Sequence, residues 1–431
     1  MLNRTICKRI ASLLLVLLLG VCSVACGPEP AITTGTTEGT AAVTTTGTLL
    51  LPPGTTETPT TEAPTTEVPT TEAPIIESLP PQIKNVILII GDGMGLEHIA
   101  AGEMAYGKDF AFTDWQFANV KTNSFNGSGS AVETTDSAAS ATALATGIMT
   151  QNGYVGKDST GRNLTTVMDY AKSKGKATGI VTTDYLHGAT PAGFSAHSLN
   201  RGNAGEILTT QALSGVDFLC GAQDSTTLSY ETSYTSQGYT FVSEYTQIRK
   251  ALNNEKVCCA VQIEGHHANA RLTLRTATSY ALEFLERDED GFCLMIEQAH
   301  VDKNSHSNLF PEMVKSVRSL ANTVDLILEW MDGREDTAIL ITADHETGGL
   351  NVSGENTLPY VYQDNNLGTK VYYQWTTGGH TNSNVGLFIY GTTVELEKYS
   401  YYGSEYMVKN TDIIKIMKDL MKPVEQTEDP S

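Results

Sequence analysis

Residues 85–95 read NVILIIGDGMG, a short apolar run that ends on Asp92 between glycines. Branched aliphatic residues follow one another here with no alternation between polar and apolar positions. Such a run is typical of a strand that is buried on both faces, as in a parallel sheet that is covered by helices. The pattern therefore predicts an α/β fold in which a buried strand delivers Asp92 at its carboxyl end.

Similar apolar runs alternate with stretches of helical period from Gln82 onward, which predicts a three-layer α/β sandwich around a central, mostly parallel β-sheet. Polar residues follow these runs: His187 and Thr190 after ATGIVTTDYLHGATP, Glu297, Asp302 and His306 in GFCLMIEQAHVDKNSH, Asp344 and His345 in TAILITADHETGG, and His380 just before a further run. Ligands bind at the carboxyl ends of strands in open α/β sheets. We therefore expect these side chains to meet at one edge.

Several acids at one edge repel one another unless cations neutralise them. Metal binding resolves this crowding, although each acid or histidine taken alone is more often a turn, cap or structural residue. Histidine mixed with aspartate suits zinc, whereas a threonine with carboxylates suits magnesium.

The segment ETTDSAASATALATG, residues 133–147, predicts a helix of small residues that begins near Asp136 and Ser137. A helix N-terminus carries unpaired N–H groups and partial positive charge, which favour an alkoxide or a bound phosphate. A serine at such a place is most often a cap. Beside a metal cluster, an activated nucleophile is the better explanation of Ser137.

The chain has 431 residues and a net charge of −21, which argues against general nucleic-acid binding. A strongly anionic substrate would have to be held by local arginine or by metal ions.

The N-terminal residues predict export. Residues 1–26 have a basic start, a short apolar run and the ending SVAC, which resembles a lipoprotein cleavage box with Cys26 as the lipidated residue. Plain secretion with cleavage nearby is the alternative. Residues 27–81 contain four units of the type TTEAP and predict an extended stalk, and residues 424–431 predict a disordered acidic tail. The expected location is the outer face of a bacterial membrane or the cell wall, or the medium.

Two further patterns concern the core of the predicted domain, residues 82–423. Apolar segments surround four cysteines that we expect to be buried free thiols, namely Cys220, Cys258, Cys259 and Cys293. The segment NTDIIKIMKDLM, residues 410–421, predicts a helix that covers the sheet and is capped by Asn410 or Thr411.

Six motifs occur in order between residues 84 and 421: IIGDGMG, TDSAASATALATG, ATPAGFSAHSLNR, MIEQAHVDKNSH, TADHETGG and GGHT. Taken together they resemble the alkaline phosphatase family. The resemblance implies hydrolysis of phosphate monoesters through a phosphoserine, with two zinc ions and one magnesium ion, and often a homodimer.

The resemblance also implies a role for each matching residue. Ser137 matches the nucleophile, which faces the second zinc, and Arg201 matches the residue that grips the phosphate, near which Lys303 would add charge. The implied metal ligands are Asp302, His306 and His380 for the first zinc, Asp344 and His345 for the second, Asp92 between the second zinc and magnesium, and Thr190 and Glu297 for magnesium.

The chain departs from the family pattern at three points. Gly188 stands where the family usually carries Asp or His before its Ala-Thr-Pro segment, and that residue normally holds a water of the magnesium site. His300 stands where a small residue is common. The chain between His345 and His380 is short, so we expect a small or reduced crown insertion.

Other functions remain open at this point. A phosphodiesterase or phosphonate hydrolase of the same superfamily would share the two-zinc ligands, but Thr190, Glu297 and Arg201 favour a monoesterase. A sulfatase is disfavoured because no Cys/Ser-x-Pro-x-Arg motif surrounds Ser137. A cell-surface binding protein that has lost turnover is the alternative from another class.

Overall fold

The computed structural model describes residues 82–125, 132–400 and 406–423. The chain divides into two units, Met1–Ile76 and Glu77–Ser431, and every described residue belongs to the second. The predicted signal, Cys26, the stalk and the acidic tail lie outside the described residues. No helix in the described ranges is both long and apolar enough to span a bilayer.

A ten-stranded sheet forms the centre of the described unit, in the order β17-β2-β16-β10-β1-β9-β5-β6-β8-β7. Only β16 runs antiparallel to its neighbours within this sheet. The strands are β1 Asn85–Gly91, β2 Gln116–Lys121, β5 Ala177–Tyr185, β6 Phe218–Ala222, β7 Thr240–Val242, β8 Val257–Val261, β9 Phe292–Gln298, β10 Thr337–Thr342, β16 Val385–Tyr390 and β17 Met407–Lys409. The predicted, mostly parallel sheet is confirmed.

Smaller sheets are built from the remaining strands. The short strands are β3 Ser124–Phe125, β4 Val132–Glu133, β11 Glu346–Thr347, β12 Asn351–Ser353, β13 Tyr360–Gln363, β14 Lys370–Gln374 and β15 His380–Thr381. Strands β12, β14 and β13 form an antiparallel sheet between His345 and His380. Apart from β11, the chain between His345 and His380 therefore forms only this small sheet, in keeping with the predicted small insertion.

The described ranges contain twelve α-helices, seven of which form two groups that pack on the sheet. The twelve are α1 Leu96–Tyr106, α2 Ser137–Thr146, α3 Val167–Ser173, α4 Ala189–Ser195, α5 Ala204–Leu213, α6 Ser225–Ser229, α7 Glu231–Thr235, α8 Ile248–Ala251, α9 Leu274–Leu285, α10 His300–His306, α11 Phe310–Trp330 and α12 Asn410–Leu420. One group joins α1, α9 and α11, and the other joins α2, α3, α4 and α12. Every residue of β1 is buried, so both faces of the sheet are covered.

The register of the strands aligns their carboxyl ends. Ile90 of β1 pairs with Glu297 of β9 and with Thr342 of β10, and Thr182 of β5 pairs with Glu297. The residues that follow these strands therefore leave the sheet at one edge. Because β16 is antiparallel, the chain before its first residue lies at this same edge, which brings His380 there.

Helix α2 is buried at all ten of its positions. Its small side chains allow α4 to come close: a Cβ on Gly193 of α4 would lie 2.8 Å from the Cβ of Ala141. Small residues at this contact therefore set the distance between Ser137, at the start of α2, and Thr190 in α4.

The four cysteines are buried and free, as predicted. The predicted cap of the C-terminal helix is wrong. Helix α12 begins at Asn410 and is preceded by Lys409 as N-cap. The Asn410 side chain is buried and donates to Ser140 Oγ over 3.1 Å, so it joins α12 to α2.

Candidate active site

Ser137 is the first residue of α2, and its hydroxyl is not used as a cap. The cap is Asp136, whose Oδ1 accepts a hydrogen bond from the Ala139 N–H over 2.9 Å. The buried Ser137 Oγ lies 3.2 Å from His345 Nε2. The chain thus presents a serine oxygen at a helix N-terminus, within the group of acids and histidines.

One cluster of potential metal ligands joins Asp302, His306 and His380, whose ligand atoms all lie within 4.8 Å of one another. The Nε2 atoms of the two histidines are 3.1 Å apart. Their Nδ1 atoms lie 2.7 and 2.9 Å from the backbone carbonyls of Gly378 and Thr135. These carbonyls accept the Nδ1 protons, so both Nε2 atoms face each other with lone pairs. A cation between them would relieve that repulsion.

A second cluster surrounds His345. Its Nε2 lies 3.2 Å from Asp344 Oδ2 and 3.6 Å from Asp92 Oδ1. The other oxygen of Asp344 accepts 3.0 Å hydrogen bonds from the N–H groups of Gly93 and His345, which fixes the carboxylate. Asp302 also lies within 4.8 Å of this cluster, so it reaches both groups.

A third group contains Glu297 at the end of β9 and Thr190 in α4. Glu297 Oε2 accepts a hydrogen bond from the Thr182 hydroxyl. Glu297 Oε1 and Thr190 Oγ1 are both buried without a hydrogen-bond partner. The charge of Glu297 acts on Asp92, which connects this group with the second cluster.

Unpaired buried oxygens support metal binding by these three groups. Among the described residues, four predicted ligands carry such an oxygen: Asp92 Oδ1, Thr190 Oγ1, Glu297 Oε1 and Asp344 Oδ2. Burying a polar atom without a partner is costly. Four such oxygens in these groups therefore indicate residues suited to hold cations. The donor set of carboxylate, imidazole and hydroxyl groups fits divalent cations.

The shifted pKa values of these acids in the metal-free chain also favour the binding of cations. Burial, with the negative charge of Asp344 and Asp302, raises the pKa of Asp92 well above its ordinary value. Burial above all raises the pKa of Glu297 to about 8 and that of Asp344 to about 7. Burial lowers the pKa of His345, and the nearby positive groups lower it further. Cations would remove the cost of ionising these acids.

The sequence model of the family described as alkaline phosphatase matches residues 83–223 and 217–373, more than half of the chain. The chain belongs to the alkaline phosphatase family. Alkaline phosphatase 4 of Bacillus subtilis is 29% identical over 299 residues, which is 63% of this chain and 63% of the Bacillus protein. The alkaline phosphatase of Escherichia coli is 27% identical over 383 residues, 72% of this chain and 81% of that protein.

Solved alkaline phosphatases have the same fold. The enzyme from the Antarctic bacterium TAB5 has a TM-score of 0.68 at 24% identity, and the match covers 79% of this chain and 98% of that one. The cold-active enzyme from the psychrophile Shewanella sp. has a TM-score of 0.67 at 25% identity, covering 79% and 100%. The predicted α/β sandwich is therefore that of the alkaline phosphatases.

Arg201 is paired with Asp136, the residue that precedes Ser137. Its Nη1 lies 3.1 Å from Asp136 Oδ2, and its backbone N–H donates to the Gly153 carbonyl over 2.8 Å. Asp136 Oδ2 also accepts from the Gly153 N–H over 3.0 Å. Asp136 therefore caps α2 with one oxygen and orients Arg201 with the other. The motif contains Asp136, but only the structure reveals this second task.

Lys303 pairs with Asp184, which also contacts His266, and the sequence analysis singled out neither of these two partners. Its Nζ lies 3.0 Å from Asp184 Oδ1, and His266 Nε2 lies 2.9 Å from the same oxygen. Asp184 follows the apolar part of β5, so its place at a strand end was a signal that could have found it. His266 lies in a loop that carries no motif, and its position depends on the tertiary fold.

His300, one of the departures from the family pattern, packs against His266. His300 Nδ1 lies 3.2 Å from Thr183 Oγ1, and its ring packs edge-on against His266 at 4.7 Å. His300 thus contacts both Thr183 and His266. His187 pairs with Asp224, at 3.2 Å, and its ring stacks on Tyr185.

Proposed function

We propose that this protein hydrolyses phosphate monoesters to an alcohol and inorganic phosphate through a phosphoserine at Ser137, with broad specificity. One observation carries the proposal: the Ser137 hydroxyl, which does not cap its helix, lies 3.2 Å from His345 Nε2, while the preceding residue, Asp136, pairs with Arg201 at 3.1 Å. A nucleophile, ligands for cations and a group that binds phosphate oxygens thus converge.

Three cations would be held by the residues described above. Asp302, His306 and His380 would hold one zinc, Asp344 and His345 the other, and Thr190 and Glu297 a magnesium, with Asp92 between the last two. When bound, these ions would supply positive charge that favours ionised serine and water and that offsets charge on the leaving oxygen.

In the first step, the Ser137 oxygen forms a bond to phosphorus while the ester P–O bond breaks, and the alcohol departs with a proton. In the second step, a water oxygen bonds to phosphorus, the Ser137 O–P bond breaks, and serine regains its proton. Arg201 offers two parallel N–H donors to the non-bridging oxygens. The N–H groups at the start of α2 stabilise the negative charge on the phosphate group in both steps.

The test is hydrolysis of an aryl phosphate monoester across alkaline pH by the full chain with zinc and magnesium added. A matched diester, a phosphonate and a sulfate ester are assayed beside it. We expect monoester turnover that is lost on chelation and that falls by at least about a thousandfold in Ser137→Ala.

Other outcomes would select another function. A preference for the diester or the phosphonate would assign the protein to a neighbouring branch of the superfamily. Binding of zinc and phosphate with no turnover of any ester would indicate a cell-surface binding protein.

We also propose that the protein is exported and anchored at the outer face of the cell membrane through lipid on Cys26, with residues 27–81 as spacer. The SVAC ending and the Thr/Pro/Glu composition support this proposal. Cys26→Ala should release the protein from washed membranes. A homodimer is proposed from the family alone, and sedimentation of the purified protein tests it.

A further inference from the structure

Asp184 lies at the end of β5 with only 8% of its surface exposed. Its Oδ1 faces three donors: Lys303 Nζ at 3.0 Å, His266 Nε2 at 2.9 Å and the Tyr185 N–H at 2.8 Å. The His266 ring stacks on Tyr185 at 4.1 Å, which fixes the imidazole beside the carboxylate. The carboxylate is therefore held in one orientation from several sides.

Gly188 provides the space for the other oxygen of Asp184. A Cβ at position 188 would lie 2.6 Å from Asp184 Oδ2 and 2.9 Å from the Tyr185 carbonyl oxygen. The φ of Gly188 is −55°, which any residue can adopt, so glycine is not required for the backbone. It is required because a side chain at 188 and the Asp184 carboxylate cannot occupy the same space.

Lys303 follows the ligand Asp302 in α10. The carboxylates whose charge acts on its ammonium are Asp184 above all, then Asp92 and Glu297. Asp92 and Glu297 are also the acids of the proposed magnesium site. Only the first of these three is paired with Lys303 in the described structure.

We propose that Asp184 is a positioning residue that keeps the Lys303 ammonium away from Asp92 and Glu297, so that these acids stay available to the third cation. This rests on the proposed function only in assigning a divalent cation to Thr190, Glu297 and Asp92. Without Asp184, the lysine would be attracted to those acids and would compete with magnesium.

Magnesium affinity, measured by calorimetry on zinc-loaded full-length protein, tests this inference without an assay of activity. Asp184→Asn removes the charge but keeps the shape of the side chain. We expect it to weaken magnesium binding by about tenfold, as expected for coupled neighbours. In a Lys303→Met background, the same substitution should change magnesium affinity by less than about twofold, because the competing cation is gone.

Gly188→Ala is a second variant, which acts on Asp184 by steric contact. Its Cβ would displace the carboxylate, so it should weaken magnesium binding in the Lys303 protein and not in Lys303→Met. The matched control is Asp224→Asn, which alters another carboxylate–histidine pair, partly buried, with His187 at 3.2 Å. Asparagine also caps helices, so α6 is retained and magnesium affinity should not change.

Three results would overturn the inference. Equal weakening by Asp184→Asn with and without Lys303 would mean that the Asp184 charge acts on the cation directly. Unchanged magnesium affinity in both Asp184 and Gly188 variants, or no magnesium binding by the wild type, would remove the role altogether. Monoester turnover is measured on the same samples. If magnesium binding weakens only in the presence of Lys303 but no monoester is hydrolysed, the proposed function alone is rejected. If monoesters are hydrolysed but magnesium binding does not depend on Lys303 in this way, this inference alone is rejected.

Discussion

At the scale of single residues, Asp136 has two tasks that can be separated. One oxygen caps α2, and the other pairs with Arg201, whose side chain is 41% exposed. Asp136→Asn keeps a capping oxygen and loses the charge that holds the guanidinium. We expect KM for a phosphate monoester to rise about fivefold, a modest factor because solvent screens a partly exposed pair. Steady-state kinetics check this.

The matched control for Asp136 is Asp158→Asn, which removes the carboxylate of another aspartate–arginine pair, with Arg162 at 2.8 Å, outside the site. KM should be unchanged in this control. A large fall in kcat with constant KM in Asp136→Asn would contradict a role in holding Arg201 for substrate binding. It would indicate that the substitution disturbs Ser137 instead.

At the scale of helices and strands, the contact between α2 and α4 relates Ser137 to Thr190. A side chain at Gly193 would meet Ala141 Cβ at 2.8 Å and the Ala141 backbone at 3.0 Å. Gly193→Val should therefore push the helices apart and lower the free energy of unfolding by about 2 kcal/mol, as overpacking does. Urea unfolding measures this loss.

The control for Gly193→Val is Gly354→Val. No atom lies within 4 Å of a Cβ placed at Gly354. Its free energy of unfolding should change by less than about 0.5 kcal/mol. Equal stability of the two variants would show that the packing of α2 on α4 does not limit the side chain at position 193.

The elements also show how far sequence could predict this molecule. The unbroken apolar run of β1 and the order of the motifs were sufficient to predict the sheet and the edge where the acids and histidines gather. Capping preferences are local and predict a cap at Asn410 or Thr411, whereas the hydrogen bond of Asn410 to Ser140 depends on how α12 packs on α2. The position of Asp184 at a strand end could be predicted, but its partners Lys303 and His266 could not, since they are distant in sequence.

At the scale of the whole molecule, stability and metal content should be linked through pH. In the metal-free chain, the pKa values of Glu297 and Asp344 are raised to about 8 and about 7. An acid whose pKa is raised by folding binds more protons in the folded than in the unfolded state. Its contribution to stability is full below the unfolded pKa, near 4, and is lost as pH rises through the folded value.

Metal-free protein should therefore lose stability steadily between about pH 4.5 and about pH 8, by several kcal/mol in total. Protein with zinc and magnesium should lose little over the same range, because the cations stabilise the ionised acids. Thermal unfolding in chelator and in metal buffer, at closely spaced pH values, compares the two. The Glu297→Gln variant tests the cause: its side chain does not ionise, so the pH dependence in chelator should become shallower, chiefly towards pH 8. Parallel curves for metal-free and metal-loaded protein would contradict the idea that these acids make the folded unit depend on its cations.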